Sequence, residues 1–113
     1  MKFAKVVFGI AAVYGLVVLL PQYFIRPPAE HPEFFYGFTG VAVAWQVLFM
    51  IMARDPVRFR PAMWPAILEK LGFGVAAVVL YAQGRLAVTM LAAGLIDLLF
   101  AALFVVALRL TAR

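Results

Sequence analysis

The sequence predicts an all-α fold, an antiparallel bundle of four transmembrane helices with both termini on the cytoplasmic side. Three observations predict it. Of 113 residues 67% are hydrophobic and only 13% charged, and the mean hydropathy is +1.05; a soluble domain is about half apolar and a quarter charged. The apolar residues fall into four runs, each close to the roughly 20 residues that a helix needs to cross a hydrocarbon core of about 30 Å. The basic residues punctuate those runs at alternate ends.

The first run, 6–25, and the second, 34–53, carry no charge at all. Pro21 is expected to bend the first near its outer end. Lys2 and Lys5 before an apolar stretch also suit a signal peptide, but Leu20 is followed by Pro21-Gln22-Tyr23-Phe24 and no small-x-small cleavage site, so the first helix is expected to be retained. The fourth run, 86–108, has Asp97 as its single charge. The third, 65–83, contains Glu69 and Lys70; it spans only if both lie in its first turns at a membrane surface, with Lys70 snorkelling outward. Trp64 suits that interface and Pro65 suits a helix start.

With the N-terminus inside, Lys2, Lys5, Arg54, Arg58, Arg60, Lys70, Arg109 and Arg113 are cytoplasmic and only Arg26 and Arg85 are outside, a strong positive-inside bias. Tyr23, Phe24, Phe34, Phe35 and Tyr36 then form an outer aromatic belt. The connections are short and no soluble domain hangs from them, so 1–113 forms a single transmembrane domain.

Asp97 lies at mid-membrane, about 17 Å from either end of its run, where a carboxylate cannot reach the surface. Gln46, Tyr14 and Thr39 are the polar residues on the other runs nearest that depth, and no basic residue is expected there. Asp97 is therefore expected to carry its proton or to bond Gln46 or Tyr14, because burial disfavours the charged form. As a working site this polar centre would serve proton or cation coupling, or recognition of a polar ligand group; as a structural device it would fix helix register. Small residues four apart, such as Ala11 and Gly15, Gly40 and Ala44, or Gly72 and Ala76, suit helix packing within or between chains.

Two loops add polar clusters. Arg54, Arg58, Arg60 and Lys70 form a cytoplasmic basic group able to meet anionic lipid or an acidic partner, though topology alone explains their charge. Asp55 can cap a short turn begun by Pro56, and Glu69 is at a level to pair with Arg54, Arg58 or Arg109. Glu30, His31 and Glu33 form an outer lip that suits partner docking better than metal binding, since His31 is the only histidine.

The short hairpins, the Arg54-Asp55-Pro56 loop after the second run and the Gly84-Arg85 turn before the fourth resemble DoxX-like and related small four-helix bacterial inner-membrane proteins, which have no characterised function. That resemblance implies a fold and little chemistry. The absence of acid in the first run separates the chain from small multidrug resistance transporters, whose essential glutamate lies there. The preference for Arg, Ala, Leu and Val suggests a GC-rich bacterial genome, and the resemblance implies a bacterial inner-membrane location.

There is no Cys, Ser or Asn, which removes thiolate chemistry and serine or cysteine nucleophiles. Asp97, Glu69 and His31 are expected at three different depths, so no catalytic set, cofactor site or metal site is expected. The basic residues form no single face for nucleic acid. The expected partners are the lipid bilayer and other membrane subunits or further copies of the chain. The sequence thus reads as a non-catalytic accessory, structural or assembly subunit of a larger membrane complex or homo-oligomer. The alternative is a small transporter or ligand-binding bundle centred on Asp97, Gln46 and Tyr14.

Overall fold

A computed structural model of the protein describes residues 2–112. Its elements are α1 (Lys2–Leu19), which continues into a 3₁₀ segment at Leu20–Phe24, α2 (Pro32–Arg54), α3 (Met63–Ala82), entered through a 3₁₀ turn at Arg60–Ala62, and α4 (Val88–Leu110). All four segments are long and apolar enough to cross a membrane. The 3₁₀ winding around Pro21 places the change of winding where the first run was expected to bend.

The third segment differs most from expectation. With its 3₁₀ turn it runs from Arg60 to Ala82, 23 residues; Pro61 lies in the 3₁₀ turn and Pro65 in the first turn of α3, where a missing N–H costs nothing. Glu69 and Lys70 are therefore the tenth and eleventh of those 23 residues and lie at its middle, not at a surface. The expected start at residue 65 falls inside this segment, after both the 3₁₀ turn and the first residues of α3.

Consecutive helices are antiparallel. α3 ends in a Schellman turn: Gly84, at φ +71°, reverses the chain while Arg85 N–H donates to Leu80 O at 2.9 Å and Gly84 N–H to Tyr81 O at 2.9 Å. Along the α3–α4 hairpin the backbones approach at Gly74 and Gly94. A Cβ on Gly74 would lie 3.0 Å from Gly94 O, and one on Gly94 would overlap Ala77. Small residues permit this approach where side chains would hold helices apart.

The two hairpins, α1–α2 and α3–α4, meet through a core confined to one half of the bundle. It draws on the first halves of α1 and α3 and the second halves of α2 and α4: Ala4, Phe8, Ala11, Phe49, Met52, Met63, Ala66, Phe104 and Ala107 are all fully buried. Phe8 stacks on Phe104 at 4.3 Å between ring centroids, and Phe49 meets Phe104 edge-on at 5.3 Å. That half is the end at which the chain starts and finishes. In the far half, space opens between the hairpins.

Candidate functional site: an ion cluster beneath an apolar cavity

The buried residues of α3 are Met63, Ala66, Ile67, Lys70, Gly74 and Ala77, a three- and four-residue spacing that makes one helical stripe. Lys70 falls on that stripe, so its side chain must point into the bundle. It is 4% exposed, and its ammonium lies 3.7 Å from Asp97 Oδ1 and 3.7 Å from Glu69 Oε1. The approach at Gly74 and Gly94 sets this register, because Lys70 is one turn before Gly74 on α3 and Asp97 three residues after Gly94 on α4. The same ammonium sits 5.3 Å from the centroid of Phe49 and 5.5 Å from that of Phe100. Ring faces attract a cation and here hold it on the core side of the cluster.

Several expectations are corrected by this geometry. Lys70 does not snorkel to a cytoplasmic surface or join a lipid-contact group; it is a buried ion partner. A basic residue is therefore present at the depth of Asp97. Asp97 pairs with Lys70, and among the described residues no hydrogen bond joins it to Gln46 or Tyr14. Glu69 pairs with Lys70 instead of an arginine in the loops. Glu69 was missed as a site residue and Lys70 was assigned to the cytoplasmic basic group because their charge argued for a surface; the stripe 63–66–67–70–74–77 was the available signal for Lys70.

Above the cluster lies a cavity of about 510 Å³, lined by all four helices. Tyr14, Gln46, Glu69, Lys70 and Asp97 form its polar floor, and Val18, Val41, Trp45, Phe73, Ala93 and Met90 are among its apolar walls. Val18, Phe38, Val41, Ala76 and Met90 line it and are also exposed, so the cavity opens between the hairpins. Gly72 and Ala76, expected to pack another helix, form part of this open wall, whereas Ala11 and Gly15 are buried inside the chain.

Gln46 is 2% exposed. Its Nε2 donates to Ala42 O at 2.9 Å, which orients the amide, and its Oε1 lies against Gly15 with no donor. Glu69 Oε1 is likewise buried without a hydrogen-bond donor. Tyr14 packs its ring 5.7 Å from Phe100 at the cavity floor. Thr39 is separate from this set: its hydroxyl donates to Phe35 O at 2.9 Å and lies 3.1 Å from Gln22 Oε1.

In the α2–α3 loop, Arg58 N–H donates to Asp55 Oδ1 at 3.3 Å, and Arg54 and Arg58 are exposed. Arg60 is not free for lipid or a partner. Its Nε and Nη2 donate to Leu108 O at 3.2 and 3.0 Å, placing a cation at the C-terminus of α4. Arg60→Ala is expected to lower stability by about 1 kcal/mol and to speed amide hydrogen exchange in the last turn of α4, read by mass spectrometry. At the far end His31 Nδ1 and Glu33 Oε2 are 3.2 Å apart and both exposed. Glu30 is exposed beside them, and among the described residues no three His, Asp or Glu side chains converge as metal ligands.

Fold and site together define an all-α protein of four membrane-length helices that holds two partly buried carboxylates and one buried ammonium beneath an open, largely apolar cavity. Comparison with protein-family models, with curated proteins and with solved structures found no match.

Proposed function

We propose that this chain is an integral membrane protein with both termini cytoplasmic, working as a small transporter or ligand-binding bundle that takes up an amphipathic molecule in the cavity between its hairpins. The observation that carries this reading is the placement of the Glu69–Lys70–Asp97 cluster at the floor of an otherwise apolar cavity. A few polar groups converging in an apolar concavity is the usual make-up of a ligand site. Ionisable groups inside a membrane span are costly and commonly mark a pathway or site. Removing Lys70 from the topological charges leaves the orientation supported, since among the described residues six of the remaining eight basic side chains lie at the termini end and only Arg26 and Arg85 at the other. An assembly subunit is the second reading, but it rests on exposed apolar helix faces, which every membrane-spanning bundle has.

The chain has two tryptophans. Trp45 lines the cavity, while Trp64 is 59% exposed in the first turn of α3. In a Trp64→Phe background, fluorescence from Trp45 should respond saturably to amphipathic probes in lipid nanodiscs, and Ala76→Phe, which fills the open wall, should abolish that response. A Trp45 signal that follows only the bulk partition of every probe, unchanged by Ala76→Phe, would overturn the reading.

A further inference from the structure

We infer that the cavity selects a monocationic amphiphile, a primary ammonium with an apolar body, whose head group binds Glu69 and Asp97. This rests on the ligand-binding reading above and names its substrate class.

Charge is the first argument. The titratable side chains lining the cavity are Tyr14, Glu69, Lys70 and Asp97; when the acids and the lysine are ionised they sum to one excess negative charge. A cationic ligand neutralises that excess, whereas an anionic one doubles it.

Accessibility is the second. The Lys70 side chain is 4% exposed, set back against the rings of Phe49 and Phe100, while the Glu69 and Asp97 side chains are 20% and 16% exposed. The Glu69 and Asp97 side chains are thus less covered than that of Lys70, although Glu69 Oε1 itself is buried.

Hydrogen-bond supply is the third. Both ion-pair distances are 3.7 Å, beyond hydrogen-bond range. An ionised carboxylate has about four acceptor sites, yet Glu69 Oε1 has no donor, and neither does Oε1 of the buried Gln46. Neither carboxylate is within hydrogen-bond range of the one ammonium beside it. A primary ammonium brings three N–H donors to the two carboxylates that line the cavity, and a charge that offsets their excess. Its body would lie along Val18, Val41, Phe73 and Met90. The head group of an amine-bearing phospholipid fits less well, because the site lies at the middle of the helices and offers its phosphate no exposed cation.

The test compares three isosteric probes, ω-bromodecylammonium, ω-bromodecanol and ω-bromodecanoate, by bromine quenching of Trp45 in the Trp64→Phe chain, in nanodiscs of zwitterionic lipid. The Ala76→Phe signal is subtracted as bulk partition. The ammonium should bind saturably, at least about tenfold tighter than the alcohol, and unbrominated decylammonium should reverse its quenching. The carboxylate should bind more weakly than either. Glu69→Gln should bring the ammonium close to the alcohol, and Asp97→Asn should do the same provided size-exclusion shows it folded. Equal binding of ammonium and alcohol would sink the cation inference while leaving the cavity reading in place. Tightest binding by the carboxylate would sink it too, by making Lys70 the head-group partner. If no probe binds saturably, the ligand-binding reading fails along with the inference.

Discussion

Replacing Lys70 by methionine is expected to destabilise the protein by about 3–5 kcal/mol, the usual cost of removing one member of a buried ion pair. The substitution keeps most of the aliphatic volume between Phe49 and Phe100 but leaves Glu69 and Asp97, each 3.7 Å from the lost ammonium, with no counter-charge. Much of that penalty is the burial of unpaired carboxylates and not the value of the pair itself. The double variant Lys70→Met with Asp97→Asn should therefore recover a substantial part of the loss. Thermal or denaturant unfolding of the detergent-solubilised protein measures both. If the single variant unfolds like the wild type, Lys70 is not holding the two acids.

A second large effect is expected at the helix crossing that aligns those charges. Gly94→Ala would overlap Ala77 across the α3–α4 interface, and both atoms belong to helix surfaces that cannot fold away. Overpacking of this kind costs about 1–3 kcal/mol, and pushing the helices apart at Gly94 also draws Asp97 from Lys70 three residues away. Gly37→Ala is the matched control. Its added Cβ meets nothing within 4 Å, so only the gain in helix propensity, up to about 1 kcal/mol, remains. The two alanine substitutions should thus shift the unfolding midpoint in opposite directions. A shared sign would mean that the Gly74–Gly94 approach does not hold the hairpin together.

The connection between these results is the phase of α3. A charge scan treats Glu69 and Lys70 as a surface marker, because two adjacent charged residues inside an apolar run usually mark its edge. Helical phase separates them from that rule: Lys70 is seven residues after Met63 and four before Gly74, on one stripe that the bundle buries. With Pro61 in the 3₁₀ turn, the segment lengthens at its N-terminal side and its charged pair moves to mid-helix. The lysine thought absent from the depth of Asp97 was in the sequence, assigned to the wrong depth.

Four helices of membrane length, their short antiparallel connections and the central position of Asp97 were determined by the sequence alone, since run length, charge placement and a glycine turn at Gly84 are local properties. The identity of the partner of Asp97 was decided only by tertiary structure. It depends on which face of α3 meets α4, on the glycine approach that aligns Lys70 with Asp97, and on two phenylalanine rings from α2 and α4 that receive the ammonium. The cavity was decided there as well. It exists because the phenylalanine core joins the hairpins at one end while the small and exposed residues of the far half, Gly72, Ala76 and Met90 among them, leave the other end open. No single helix carries that information, because a void between hairpins is a property of their separation.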